Sequence, residues 1–241
     1  YSRTAAHPAG WIGLFPLAGR TAVAMAYAGG GLSDDEATAS IGALAGLRVG
    51  PDMFVENIAD RIRRRPWVGN CVAIGAAAAR GDPIDAVELH RDQIAIAHLV
   101  ALLPIDRTAM VEAGIYNDEV VLHYLRLRDF QAAHYRLNAR VGEPFWDEAR
   151  AAPVSDLLEA KIALFGARGM VAQHNQEAFN EDSWQSLLVG HGIVPRSPDP
   201  RAAAMPESEV ARRLQAILGA VARDVALLMP HQAMREQAMR A

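Results

Sequence analysis

The sequence predicts an α+β protein that is predominantly α-helical, in which a small antiparallel β part precedes a helical C-terminal region. Residues 10–28 mix aromatic and β-branched residues between glycines, which is typical of strands. Later segments repeat apolar residues at helical spacing. Hydrophobic residues make up 51% and charged residues 22% of the 241 positions, a composition that is ordinary for a globular protein.

The β part comes first in the chain. We expect two antiparallel strands within residues 10–28, joined by a turn near Ala18. The run SDDE that starts at Ser33 has the form of a capping box and predicts a helix that ends at Gly46. The stretch 47–69 contains two prolines and should hold short strands and loops.

Helices dominate the remainder of the chain. Helical periodicity covers residues 84–103 and 117–139. Ser155 and Asn180 are expected to cap two shorter helices that each end at a glycine. Pro206 suits the first turn of a last helix.

Charge and cysteine content exclude several classes of protein. A net charge of −4 and a pI of about 6.1 argue against a nucleic-acid partner or an anionic membrane surface. The basic run at 62–67 is interpreted as a solvated strand face or a set of intramolecular ion pairs. The single cysteine, Cys71, cannot form an internal disulfide, which suits the cytoplasm. Neither of the longest apolar stretches reaches the ~18 residues of a membrane span.

Common binding signatures are missing from the sequence. No G-x-G-x-x-G motif follows a predicted strand, and no phosphate-binding loop motif is present. The eight histidines form no H-x-x-x-H pattern, and one cysteine cannot anchor a zinc site, so no metal site is predicted. His90 and His98 are interpreted as hydrogen-bonded helix histidines.

Five segments, in order, resemble the C-terminal half of the flavin-dependent tryptophan halogenase family. They lie at residues 6–37, 63–75, 81–104, 127–146 and 179–195, and include the run LRDFQAAHYRLN. The resemblance implies an oxidoreductase that uses reduced FAD, oxygen and chloride or bromide to halogenate a tryptophan-like or indole-like substrate. It implies further that a separate flavin reductase supplies the reduced FAD.

The resemblance also implies a division of the chain. Residues 1–104 would be the distal part of a flavin-monooxygenase-like domain, and residues 105–241 a helical, substrate-side region that packs against it. The family's N-terminal dinucleotide-binding part is not found here, so we expect a missing flavin-binding part and a chain that is inactive alone. Lys161, the only lysine, matches no family motif and is interpreted as a surface charge. Whether the protein forms a homodimer is left open by the sequence.

The family's W-x-W-x-I-P motif falls on WIGLFP, which starts at Trp11. Trp11 and Pro16 match, whereas Gly13 replaces the second tryptophan and Phe15 replaces the isoleucine. The resemblance implies that Trp11, Phe15 and Pro16 contact the substrate, and that the indole missing at Gly13 leaves space beside a tunnel. Trp11 and Phe15 are equally interpreted as core residues of a strand.

The family's E-P-L-E-S-T segment falls on DPIDAV, which starts at Asp82. Asp85 stands where the family has its catalytic glutamate, and a carboxylate there can accept a proton from the cationic ring that electrophilic attack forms. The residues implied to lie at the flavin are Gly81, Asp82, Pro83, Ala86 and Val87. Glu88 follows the halide position and would repel chloride unless it points away. The competing interpretation of Asp85 is a residue of a helix first turn.

Phe179 and Trp184 lie near the family's substrate-contacting aromatics, although a tryptophan on a capped helix is more often a core residue. His134 and Tyr135 are given packing and hydrogen-bonding roles only. We expect Asp85 to face an open concave surface near Trp11 and Phe15, which the missing N-terminal part would close.

Two other functions stay open. The first is a flavin-dependent monooxygenase relative that hydroxylates its substrate without halogenating it. The second is a non-catalytic helical interaction module, because no complete catalytic set is present.

Overall fold

The computed structural model describes residues 2–17, 19–46, 48–50, 53–105, 110–197 and 199–238. Small antiparallel sheets fill the first part of these residues and helices the remainder, so the predicted α+β, mostly helical class is confirmed. The predicted turn residue Ala18 lies outside the described residues. In the described part of 105–241, no residue belongs to a strand, as expected.

A three-stranded antiparallel sheet opens the chain, in the order β1-β2-β3. Its strands are β1 (Arg3–His7), β2 (Gly10–Pro16) and β3 (Thr21–Tyr27). The pair β2 and β3 is the predicted one. Strand β1 was not predicted, because Thr4 is the one β-branched residue in its sequence RTAAH and none of the five is a Phe, Tyr or Trp.

The region after the sheet follows the sequence closely. Helix α1 (Asp34–Ala45) begins with the predicted capping box at Ser33 and ends at Gly46, whose φ of 61° is left-handed. The short strands are β4 (Arg61–Ile62), β5 (Trp67–Val68), β6 (Cys71–Val72) and β7 (Ala79–Arg80), paired β4 with β7 and β5 with β6. In the basic run, Arg63 Nε donates to the Ala77 carbonyl at 2.6 Å, so this side chain binds its own chain.

Eight further helices follow. They are α2 (Glu88–Ala101), α3 (Val111–Arg136), α4 (Pro144–Ala151), α5 (Asp156–Arg168), α6 (Glu181–Gly190), α7 (Pro200–Ala203), α8 (Glu207–Leu227) and α9 (His231–Ala238), all within the described residues. Ser155 and Asn180 cap α5 and α6 as predicted, and Pro206 directly precedes α8. In α8 no residue is buried.

Two helix boundaries differ from the prediction. Helix α3 begins at Val111 rather than at Asn117, and Asn117 is a buried residue inside the helix. The side chain of Asn117 accepts a hydrogen bond from the Trp67 amide at 2.7 Å and donates one to the Trp67 carbonyl at 2.9 Å. The predicted helix over residues 84–103 is interrupted. Its start is a 3₁₀ turn, Ile84–Ala86, and α2 proper begins at Glu88.

Helix α3 is the centre of the molecule. Its N-terminal half packs Tyr116, Val120 and Tyr124 against Trp67 and α2. Its C-terminal half packs Phe130 against α5 and α6. One helix therefore belongs to two separate cores.

Lys161 corrects the sequence analysis, because it is buried and not a surface charge. Its residue is 2% exposed, and its Nζ lies 2.9 Å from Oε1 of Glu177 and 4.5 Å from the ring centre of Trp184. A buried ammonium needs such a partner to offset its loss of hydration. The partner lies 16 positions further along the chain, outside the reach of a helical spacing rule.

Candidate functional site

The segment from Gly81 to Val87, here called the 81–87 segment, has an unusual backbone. Asp85 has a φ of 67° and Ala86 a φ of 50°, both in the left-handed region that non-glycine residues seldom adopt. Asp85 is therefore not a residue of a regular helix first turn. Such strain persists only where surrounding contacts fix the backbone, and it is frequent at functional sites.

A hydrogen-bond network fixes the start of this segment. The Trp11 indole N–H donates to the hydroxyl of Tyr135 at 2.8 Å, and that hydroxyl donates to Oδ2 of Asp82 at 2.5 Å. Oδ1 of Asp82 accepts from the amide of Ile84 at 2.8 Å. Burial raises the pKa of the Asp82 carboxyl, and the hydrogen bonds from Tyr135 and Ile84 offset only part of that rise. Burial, and then Asp82, raise the pKa of Tyr135, so its hydroxyl stays a donor.

A second anchor comes from Gln131, one helical turn before Tyr135. Its side-chain amide donates to the carbonyls of Asp82 and Ile84 at 2.9 and 2.5 Å. Both anchors project from the same stretch of α3, so this helix sets the position of the 81–87 segment.

These anchors place Asp85 beside a pair of histidines. Nε2 of His134 lies 3.4 Å from Oδ1 of Asp85, and Nδ1 of His134 lies 3.2 Å from Nε2 of His191. The side chains of Asp85 and His134 are 22% and 27% exposed, so water reaches both. Burial, and then the neighbouring His134, lower the pKa of His191.

An aromatic cluster adjoins these histidines. The ring of Phe130 stacks on that of Phe179 with centres 3.6 Å apart, and it meets His134 edge-on at 5.8 Å. Phe179 is half-buried, and a contact between its edge and a substrate stays a prediction. Trp184 is 2% exposed and donates its indole N–H to Glu177 at 3.0 Å, which favours its interpretation as a core residue.

The space expected beside Gly13 is filled. A β-carbon at this position would lie 2.8 Å from the ring of Phe15 and 3.3 Å from that of Trp11. Alternate residues of a strand share one face, so the two rings close over the glycine between them. Pro16 ends β2 and is exposed. The structure therefore corrects the expectation that the missing indole opens a channel here.

A small cleft lies next to Asp82, and the concave surface expected at Asp85 stays a prediction. A cleft of about 160 Å³ is lined by Gly81, Asp82, Tyr135 and neighbouring residues, and Asp85 is not among them. Ile84, the residue before Asp85, belongs to the same buried cluster as Trp11. The side chain of Glu88 is 48% exposed and lies 3.9 Å from Arg91, so this carboxylate points toward solvent.

The cleft beside Asp82 is small for a flavin. A volume of about 160 Å³ is smaller than the roughly 300–1,000 Å³ of small-molecule pockets. In the part of the chain that the structure describes, no group of three or more acidic, histidine or cysteine side chains is arranged to hold a metal ion. No described helix is long and apolar enough to cross a membrane.

Four residues of this site were not assigned a functional role from the sequence: Gln131, His134, Tyr135 and His191. Three of them lie on one stretch of α3 at helical spacing, which is a signal that the sequence does carry. Their partners Asp82 and Asp85 lie about fifty positions away, and no local pattern pairs them with this helix.

Relatives with solved structures define the class of protein. The flavin-dependent halogenase BrvH from a Brevundimonas species superposes with a TM-score of 0.86 at 31% identity, covering 99% of this chain and 48% of that one. The tryptophan 6-halogenase SttH from Streptomyces toxytricini superposes with a TM-score of 0.82 at 26% identity, covering 99% and 49%. The fold is thus that of one half of a flavin-dependent halogenase.

Sequence comparison identifies the family. The tryptophan halogenase family model matches residues 1–207, and the chain belongs to that family. The tryptophan 7-halogenase RebH of Lentzea aerocolonigenes is 26% identical over 263 residues, which cover 98% of this chain and 48% of that protein. The tryptophan 6-halogenase ThaL of Streptomyces albogriseolus is 27% identical over 224 residues, covering 86% and 42%. The chain therefore spans about half the length of these relatives.

Proposed function

We propose that this chain supplies the substrate-side half of a flavin-dependent halogenase that acts on an aromatic, indole-like compound. In this proposal a flavin-binding part that the 241 residues do not include completes the site, and a separate reductase delivers the reduced FAD. The division into residues 1–104 and 105–241, with the flavin near the first and the substrate near the second, belongs to the same proposal. When bound, the flavin would supply an electrophilic halogen from oxygen and halide.

The observation that carries this proposal is the position of Asp85. Its backbone is held in a strained left-handed conformation, its carboxylate lies beside His134, and the preceding residues are tied to Trp11 through Tyr135. Electrophilic attack on an aromatic ring gives a cation that must lose a proton from the attacked carbon. A fixed carboxylate next to that carbon stabilises the cation and accepts the proton.

The experiment is Asp85→Ala in the protein that joins this chain to a flavin-binding part. We expect turnover of an indole substrate to fall by about 10²-fold or more, since a positioned base contributes that much, with little change in stability. Asp85→Glu should retain activity, because it restores the family's glutamate. Mass spectrometry of the product separates halogenation from hydroxylation.

Asp92→Asn is the matched control. Asp92 is a carboxylate on α2 that lies near Tyr124 and not near Tyr135, so its loss should leave turnover within about two-fold. Full activity in Asp85→Ala, or an equal loss in both variants, would refute the proposed role of Asp85.

A further inference from the structure

Residues 170–180, here called the 170–180 loop, connect α5 to α6 and contain no helix or strand. The conformation of such a segment depends on contacts from other elements, because it has no backbone ladder of its own. Lys161 of α5 contacts the loop at two points. Its ammonium donates hydrogen bonds to the carbonyl of Ala172 and to the carboxylate of Glu177.

The ion pair of Lys161 and Glu177 is closed to water and fully hydrogen-bonded. The two side chains are 1% and 3% exposed. Nζ lies 2.9 and 3.1 Å from the two carboxylate oxygens, and the Ala172 carbonyl accepts a further hydrogen bond. An ammonium group has three hydrogens, so each of them has an acceptor here.

Stability alone is a poor reason for such a pair. Removing an ammonium and a carboxylate from water costs free energy that their mutual attraction only partly returns, and apolar replacements of similar volume are often equally stable. The pair does restrict the loop, because a displacement of Glu177 would leave Lys161 as an unpaired buried charge. We therefore looked at what the restricted loop presents.

The loop brings Phe179, two residues after Glu177, to the surroundings of Asp85. The ring of Phe179 stacks on that of Phe130, with centres 3.6 Å apart and planes 13° from parallel. Phe130 in turn meets His134 edge-on, and Nε2 of His134 lies 3.4 Å from Oδ1 of Asp85. The ion pair thus fixes a loop whose aromatic residue adjoins the site.

Trp184 connects the ion pair to the same aromatic cluster. Nζ of Lys161 lies 4.5 Å from the centre of its ring, and its indole N–H donates to Glu177 at 3.0 Å. The ring of Trp184 also meets Phe130 edge-on, with centres 4.8 Å apart. The pair therefore has a fixed position relative to Phe130, on which Phe179 stacks.

We propose that the Lys161–Glu177 pair positions Phe179 as an aromatic wall of the substrate site. The wall holds a planar aromatic substrate so that one ring carbon faces Asp85, and this orientation decides which carbon reacts. The inference rests on the proposed function. Lys161 and Glu177 touch no substrate, so they are positioning residues that act through the 170–180 loop.

The first test needs no activity and uses the 241-residue chain with 4-fluorophenylalanine at position 179. In ¹⁹F NMR spectra, the stacked ring of Phe130 should shift the fluorine resonance away from its position in the urea-unfolded chain. The double variant Lys161→Met with Glu177→Gln removes both charges at similar volume and keeps an oxygen for Trp184. Its resonance should move toward the unfolded position, and an unchanged resonance would overturn the proposal.

Glu119→Ala is a second variant that leaves the buried ion pair intact. The carboxylate of Glu119 on α3 accepts from the side chain of Gln176, which has a left-handed φ of 64° and directly precedes Glu177. Loss of this contact should move the fluorine resonance in the same direction by a smaller amount. If urea unfolding shows that the double variant does not fold, an unchanged resonance in Glu119→Ala overturns the proposal.

The kinetic test uses the protein completed by its flavin-binding part and an indole substrate. In the double variant kcat/KM should fall by about 10-fold, mainly through KM, and the product should change from one ring position to a mixture. The matched control is Glu159→Gln on the same helix, which removes a half-exposed ion pair with Arg136. It should leave KM and the product unchanged, since exposed ion pairs contribute little.

A double-mutant cycle shows whether the pair acts through Phe179. Phe179→Ala should raise KM and mix the products as the double variant does. Adding the Lys161 and Glu177 substitutions to Phe179→Ala should then have no further effect, because the ring that they position is already gone. Additive losses would show that the pair acts on the site by another route and would overturn the proposal.

The outcomes separate this proposal from the proposed function. If the double variant or Phe179→Ala keeps the KM and the single product of the wild type while Asp85→Ala loses turnover, the positioning role is wrong and the role of Asp85 stands. If Asp85→Ala is fully active, the proposed function fails, and the ¹⁹F spectra still decide whether the ion pair holds Phe179 in place.

Discussion

Helix α3 carries the same dipeptide twice, His123-Tyr124 and His134-Tyr135, and the two copies lie in different surroundings. In the first, Nε2 of His123 lies 3.1 Å from Nε2 of His90. This contact joins two neutral rings when one nitrogen donates a hydrogen and the other accepts it.

In the second copy, each of the two side chains lies beside a carboxylate. Asp85 lies beside His134, and Asp82 accepts from Tyr135. By contrast, the hydroxyl of Tyr124 is buried without a hydrogen-bond partner among the described residues. Identical local sequence thus lies beside a histidine in one place and beside two carboxylates in the other, and acidity and hydrogen bonding follow these neighbours and not the residue type.

The largest effect that separates the two copies concerns pH. Burial, followed by the charges of His90 and His98, lowers the pKa of His123 to about 4 from its usual 6.5. The unfolded chain therefore binds more protons than the folded one between these values, and stability falls by about 2–4 kcal/mol as the pH drops from 6.5 to 4.

Urea unfolding of the wild type and His123→Gln across this range measures the effect. The variant should lose the corresponding part of the pH dependence, and the two proteins should have equal slopes from pH 7 to 8, where His123 does not titrate. Parallel curves across the whole acidic range would show that His123 is not a buried neutral ring.

The tyrosines give the next largest contrast. Tyr135→Phe removes the donor to Asp82 and the acceptor for Trp11, which leaves two buried polar groups unpaired, and should cost about 1–3 kcal/mol. Tyr124→Phe removes a hydroxyl for which the described residues offer no partner, and should change stability by less than about 0.5 kcal/mol or increase it. Equal losses in the two variants by urea unfolding would contradict the contrast.

The smallest predicted effect tests the strained backbone of the second site. Ala86→Gly should stabilise the fold by about 0.5–1 kcal/mol, because glycine adopts the φ of 50° without the steric cost that alanine has there. The control Ala97→Gly, at an exposed position inside α2, should destabilise by about 1 kcal/mol. Thermal unfolding of both variants is the measurement, and the same sign of change in both would argue against strain at Ala86.

The sequence alone predicted what depends on neighbours along the chain. The capping box at Ser33, the caps at Ser155 and Asn180, and the β2–β3 hairpin are confirmed, because each is formed by residues a few positions apart. The family resemblance is likewise confirmed, since it depends on motifs in order along the chain. Strand β1 was missed because its small residues gave no local signal.

The tertiary structure decided what depends on distant partners. The hydroxyl of Tyr135 joins Trp11, 124 positions earlier in the chain, to Asp82, 53 positions earlier. Lys161 forms a buried ion pair with Glu177, and Asp85 lies beside His134. Residue type fixes which protons a side chain can carry, whereas burial and the direction of neighbouring hydrogen bonds fix which of them it holds, and those are settled only when the chain has folded.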